Sequence, residues 1–273
     1  MIGRLICINK GKNLIQDINK IRPITTISPL RKSLELYIKN NLDLTSKQTL
    51  NKAQTGFIPR LGTEINIWRL ANAWINLIRS CPKGQYSGIC FIDLKAAFDS
   101  VPHDKLIDYI NSLNILDYNS FNLLKSLITN SYIFFEKKIL RITRGVPQGS
   151  IISPVLFNLF QNTLYCELEK YKKEWLNQFF SYADDLAFLF HNIPDLDWKL
   201  NLLMKWTSLS EIEINNSKSA ILFKKKKASL WATKYNPKGL HNLPIVDNYR
   251  YLGISWDRNL NLINHLKELK KKP

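Results

Sequence analysis

The chain has 273 residues, 45% of them apolar, enough to bury a sizeable core. Lys and Arg number 39 against 22 acids, a net charge of +17, which attracts phosphate backbones through a salt-dependent, sequence-independent term and points to a polynucleotide partner. No apolar run approaches the about 18 residues of a membrane helix, no amino-terminal apolar segment marks a signal peptide, and the four cysteines show no paired spacing, which argues against export and a disulfide scaffold.

In chain order, Ile65 to Ile78 carries apolar residues at helical spacing, which predicts a helix. Ile89 to Ile92 is a short continuous apolar run, the mark of a buried strand, and Asp93 stands at its end. Helices are expected around Asp104 to Ile128. Arg144 to Ser150 is a turn-rich loop in which Gly145 and Gly149 let backbone approach a ligand, while Gln148 offers both a donor and an acceptor. It leads into a long helix from Pro154 to Trp175, apolar early and charged late. Phe180 to Phe190 reads as a hairpin with Asp184 and Asp185 at its turn. Leu196 to Leu209 is a further amphipathic helix. Ala220 to Phe223 is a strand, and Lys224 to Lys227 mark its end and turn. With Lys267 to Lys272 they are the strongest basic runs, read as phosphate contacts or as solvated loop. Most of the seven tryptophans fall on core patterns, Cys90 reads as a buried small residue, and His103 as a structural one.

The acids carry the chemistry. The apolar flanks of Asp184 and Asp185 want burial, and two neighbouring negative charges do not. A cation resolves the conflict, and Mg²⁺ takes carboxylates together with substrate phosphates. With Asp93 on a second strand end, three carboxylates can clamp two ions roughly 3.5–4 Å apart, which activate an attacking hydroxyl and stabilise a leaving oxygen in phosphoryl transfer. The plain alternatives are a solvated acidic turn for the pair and a strand cap or ion-pair partner for Asp93.

The ordered strings Phe91-Ile92-Asp93-Leu94-Lys95-Ala96-Ala97-Phe98-Asp99, Gly145-Val146-Pro147-Gln148-Gly149-Ser150, Tyr182-Ala183-Asp184-Asp185 and Tyr251-Leu252-Gly253 resemble a reverse transcriptase, of the non-LTR (LINE- or jockey-type) retrotransposon kind. Ile21 to Thr25 with Leu30 to Glu35, and Gln54 to Pro59, look like its first two fingers blocks. The resemblance implies an α+β right-hand polymerase fold: fingers over residues 1–85, a palm with inserted finger helices over 86–256, and in 257–273 the start of a thumb, missing or truncated, or a tail. On that expectation the chain is a truncated reading frame or a piece of a larger product.

The resemblance also implies roles. Asp93, the Leu94 carbonyl, Asp184 and Asp185 hold two Mg²⁺ ions, for which Mn²⁺ can substitute, with Asp185 the least directly coordinated. Phe98 is the steric gate that selects deoxynucleotides, and Gln148 contacts the template and incoming pair. Arg60, displaced from the family's usual basic position, or Arg69 reaches the triphosphate. Lys218, within Ile214 to Ser219, acts on the outgoing pyrophosphate. Pro147, Gly149, Tyr182, Ala183, Tyr251, Leu252 and Gly253 contact template or primer. The implied partners are an RNA template, a DNA primer and deoxynucleotides, without a membrane, inside the cell in nucleus or cytoplasm. The alternatives are a nonproductive remnant that binds RNA without turnover, and an RNA-dependent RNA polymerase, which Phe98 and Tyr-Ala-Asp-Asp disfavour.

Overall fold

The computed structural model describes residues 2–9, 21–82, 85–171, 177–229 and 241–260. In chain order the first elements are β1 (Ile2–Asn9), β2 (Ile21–Thr26), α1 (Pro29–Thr49), α2 (Thr63–Ser80), β3 (Gly88–Ile92), α3 (His103–Leu113), α4 (Tyr118–Thr129), β4 (Tyr132–Phe135) and β5 (Lys138–Arg141). They are followed by α5 (Ser153–Tyr171), β6 (Phe179–Tyr182), β7 (Asp185–Phe190), α6 (Ile193–Ser210), β8 (Ala220–Phe223), β9 (Asn248–Tyr251) and β10 (Ile254–Asp257). The expected helices and the acid-bearing strands are therefore in place. The run Lys267 to Lys272, Trp175, Trp231 and residues 261–273 lie outside the described residues. Among those described, no helix is long and apolar enough to cross a membrane.

The chain divides into two units, residues 1–50 with 96–163 and residues 51–95 with 164–273. The first holds a four-stranded sheet in the order β2-β1-β4-β5. The strands β1 and β2 precede the two long helices α1 and α2 of the amino-terminal region. β1 pairs antiparallel with β2 over six positions and parallel with β4 over three, the latter supplied from residues more than a hundred positions away. Beside the sheet lies a buried ion pair between residues one helical turn apart on α1. The Arg31 Nε donates to Glu35 Oε1 at 2.9 Å, and its Nη1 and Nη2 donate to Ser131 Oγ (2.7 Å) and the Leu127 carbonyl (3.1 Å). The other carboxylate oxygen of Glu35 accepts from Ser150 Oγ (3.0 Å) and the Ile151 amide (2.9 Å). One charge pair thus ties α1 to the end of α4 and to the loop carrying Gln148.

The second unit is built on the antiparallel sheet β6-β7-β3-β8. All five residues of β3 are buried, as a strand flanked by two neighbours and covered on both faces requires. On one face Ile89, Phe91, Ala187, Leu189 and Leu222 meet Leu70, Trp74 and Leu77 of α2 and Tyr251 and Trp256 of the β9–β10 hairpin. The opposite face carries Cys90, Phe188 and Phe190, and α6 packs there against β7 with Leu196, Leu200 and Leu203 fully buried. Lys199 of α6 is buried too, its ammonium donating to the Leu189 carbonyl, Gln178 and Asp195.

Candidate active site

β3 ends at Ile92, paired with Leu186 of β7. Continuing that register by one residue sets Asp93 opposite Asp185, while Asp184 sits in the two-residue turn between the paired Tyr182 and Asp185. Three carboxylates therefore gather at one end of the sheet. Their mutual repulsion is visible in Asp185. Partial burial, then the charges of Asp184 and Asp93, push its carboxyl up to about 6.

The turn is held from below by polar side chains that address its backbone. Ala183 has φ +55°, a left-handed conformation uncommon for a residue with a Cβ. The buried amide of Gln54 secures it, accepting from the Ala183 amide at 3.0 Å and donating to the Ala183 carbonyl at 3.1 Å. The same Gln54 oxygen accepts from the Gly56 amide at 2.7 Å. Gly56 runs so close beneath the turn that a Cβ there would lie 2.1 Å from the Ala183 nitrogen. One residue earlier, the Ser181 carbonyl accepts from the Thr55 amide, Thr55 Oγ1 and Asn66 Nδ2 at 2.9, 3.0 and 2.9 Å. Tyr251 completes the layer: its buried hydroxyl donates to Asn66 Oδ1 at 3.1 Å, with the Phe180 and Asp185 carbonyls at 3.3 and 3.4 Å.

Asp93 is bound to the segment 213–219. Its carbonyl accepts from the Asn215 amide (2.8 Å), its own amide donates to Ser219 Oγ (3.0 Å), and its Oδ2 accepts from Asn215 Nδ2 (2.9 Å). This ladder uses the carbonyls of Asp93 and Glu213 rather than that of Leu94, whose side chain is buried. Lys218 lies on the same segment, its side chain exposed, and its carbonyl accepts from the Tyr249 hydroxyl at 2.6 Å. The Tyr249 ring stacks on Phe91 at 4.3 Å. Burial, and then the charges of Asp93 and Asp185, push its phenol up to about 12.

Tyr182 is half-buried beside the turn. Tyr251 closes the β9–β10 hairpin through Leu252 and Gly253, both with positive φ (+47° and +82°), the combination of a tight type I′ turn. Arg60, also at positive φ, is exposed. Arg69 is half-buried: it donates to the Lys52 carbonyl at 2.6 Å, lies over the Phe180 ring, and burial lowers its pKa.

The remaining expected site residues belong to the first unit. Phe98 stacks on Phe157 of α5 at 4.4 Å, and its carbonyl accepts from the Val146 amide at 2.8 Å. Gln148 donates from Nε2 to Asp99 Oδ2 at 3.1 Å, and its carbonyl accepts from the Thr25 amide at 2.7 Å. Gly149, at φ +113°, passes so close to β2 that a Cβ would stand 2.4 Å from the Thr25 carbonyl oxygen. The Pro147 carbonyl accepts from Ser153 Oγ at 2.8 Å at the start of α5.

The sequence pattern of the family described as "Reverse transcriptase (RNA-dependent DNA polymerase)" matches residues 8–256. The chain belongs to the reverse transcriptase family. Among similar proteins are a probable RNA-directed DNA polymerase from transposon BS of Drosophila melanogaster, 27% identical over 97% of this chain, and that of mobile element jockey from Drosophila funebris, 28% identical over 97%. The chain spans 30% of the length of each. A telomerase from Candida albicans superposes with a TM-score of 0.65 over 95% of this chain and 46% of its own, at 12% identity, a likeness of fold alone. The fold class is thus the right-hand polymerase fold expected, and the relatives are RNA-directed DNA polymerases of mobile elements of the non-LTR retrotransposon kind, as the resemblance implied.

Reverse transcriptases use divalent metals as a family, and the donor set here fits one. Asp93, Asp184 and Asp185 are hard oxygen ligands, and burial, then the charges of Asp184 and Asp93, raise the Asp185 carboxyl, a cost to its ionised form that a cation would relieve. Among the described residues no three His, Cys, Asp or Glu side chains already close on a common point.

Sequence reasoning placed Gln54 and Asn215 inside blocks of the resemblance but gave neither a role of its own, nor one to Asn66 or Tyr249. Asn66 left a signal, a polar residue on the helix face it shares with Leu70, Trp74 and Leu77. The partners of Gln54 and Asn215 lie more than a hundred residues away and leave no local pattern.

Proposed function

We propose that this chain is the catalytic core of an RNA-directed DNA polymerase, joining deoxynucleotides to a primer 3′-hydroxyl on an RNA template and releasing pyrophosphate. The observation that carries the reading is the gathering of Asp93, Asp184 and Asp185 on two adjacent strand ends, with the Asp185 carboxyl pushed up by burial and then by the charges of the other two. In this reading residues 1–85 are fingers, 86–256 the palm with inserted finger helices, and 257–273 the start of a thumb or tail.

The side chains divide the work by their chemistry. Asp93, Asp184 and Asp185, with the Leu94 carbonyl, would hold two Mg²⁺ ions or Mn²⁺ in their place, completed by water and substrate phosphates. Bound there, such ions supply a more acidic 3′-hydroxyl and a counter-charge for the phosphates. Phe98, its ring held flat by Phe157, excludes the 2′-hydroxyl. Gln148, steadied by Asp99, meets the template and incoming pair, with Pro147 and Gly149 beside it. Lys218 acts on the pyrophosphate, and Arg60 or Arg69 on the triphosphate. Tyr182, Ala183, Tyr251, Leu252 and Gly253 line the primer side.

The test is deoxynucleotide incorporation on an RNA template with an annealed DNA primer and Mg²⁺, beside Asp184→Ala. Extension by the parent alone is expected. Extension by neither, with folded protein that still binds RNA, would leave the nonproductive RNA-binding remnant as the reading.

A further inference from the structure

We infer that Asn215 is a positioning residue that fixes how Asp93 presents its carboxylate to the metal; this rests on the polymerase reading above. A carboxylate can only accept, so the amide edge facing Asp93 Oδ2 at 2.9 Å is the Nδ2 donor, which leaves the Asn215 oxygen toward Ser217 Oγ at 2.8 Å. One oxygen of Asp93 is thereby engaged and the other left to the cation, and rotation about the Asp93 side chain would break the bond.

The amide is itself held in place by backbone. The Asn215 amide donates to the Asp93 carbonyl at 2.8 Å, and the Asn215 carbonyl accepts from the amides of Lys218 and Ser219 at 3.1 and 2.8 Å. Leu94 and Ile214 face each other as an antiparallel bridge, flanked by the Lys95 amide donating to the Glu213 carbonyl at 2.8 Å. Strand end and segment therefore form one frame, and Asn215 is its only side chain, among the described residues, bonded to the Asp93 carboxylate. Partners of this kind orient a ligating group, and their loss weakens metal binding without removing a ligand.

The experiment follows Mn²⁺ binding by electron paramagnetic resonance. The complex holds an RNA template, a DNA primer ending in a dideoxynucleotide and the matching deoxynucleotide, so no bond is made during the measurement. Asn215→Leu keeps the volume and removes the donor; Asn215→Ala removes the amide and leaves the backbone bonds. Both are expected to bind Mn²⁺ about tenfold more weakly than the parent, with melting temperatures in EDTA unchanged. Ser217→Ala, which touches only the far side of the amide, is expected to keep parental affinity. Parental Mn²⁺ affinity in both Asn215 variants overturns the proposal and leaves the polymerase reading standing. Early melting of both variants also overturns it, because the amide is then a folding element. A parent that binds no Mn²⁺ overturns the polymerase reading and this proposal together.

Discussion

Asp185 is where the molecule works against itself. Its carboxyl, ordinarily at 3.8, is raised to about 6 by burial and by Asp184 and Asp93. Between these values the folded protein holds more protons than the unfolded one, so stability falls as pH rises through the window and levels off above it. Without divalent metal, the parent is expected to lose stability between pH 4 and pH 6, read from melting in EDTA. Asp185→Asn should flatten that slope and melt no lower than the parent at neutral pH, while losing nucleotide incorporation. Phe98 makes a different demand, since its ring stacks on Phe157. Phe98→Ala is expected to relax discrimination against ribonucleotides by about tenfold or more, measured as the ratio of kcat/KM values for the two nucleotides. Unchanged discrimination would leave the ring a packing residue.

At the scale of elements, the pair Arg31–Glu35 joins three segments that share no sequence neighbourhood: α1, the α4–β4 connection and the loop 145–152. Removing one member of a buried, hydrogen-bonded pair strands the other charge, so Glu35→Ala should cost about 3–5 kcal/mol in urea denaturation. Replacing both members, as Arg31→Met with Glu35→Leu, should recover much of the loss, and a double variant no better than Glu35→Ala would contradict this account. The helices were legible in the sequence because each shows its period within a dozen residues: Ile65 to Ile78 lies inside α2, Leu196 to Leu209 inside α6. The sheet β2-β1-β4-β5 was not. β1 begins Ile-Gly-Arg-Leu without clean alternation, and its parallel partner β4 is supplied from far along the chain. The same physics divided the site. Asp93, Asp184 and Asp185 sit inside apolar strings that announce strands, whereas Gln54 and Asn215 gain their meaning only from backbone brought beside them by folding.

For the whole molecule, charge sets the behaviour. A net +17 over 273 residues favours RNA through phosphate neutralisation and release of counterions. If the chain covers six or more phosphates, its RNA affinity should fall by about a thousandfold or more between roughly 50 and 200 mM salt. Fluorescence anisotropy with a labelled RNA measures this, and a flat salt response would remove electrostatics as the main source of affinity. The slope should survive Asp184→Ala, since the carboxylates contribute nothing favourable to phosphate binding in the absence of metal.

The grip on the acid turn has an implication for how such a chain can be judged by eye. Gln54, Thr55 and Asn66 take hold of main-chain atoms at Ser181 and Ala183 and recognise no letter of the hairpin itself. A copy could keep Tyr-Ala-Asp-Asp unblemished and still fall silent through one change at position 54 or 66. The inscription and the mount that holds it level are encoded more than a hundred residues apart.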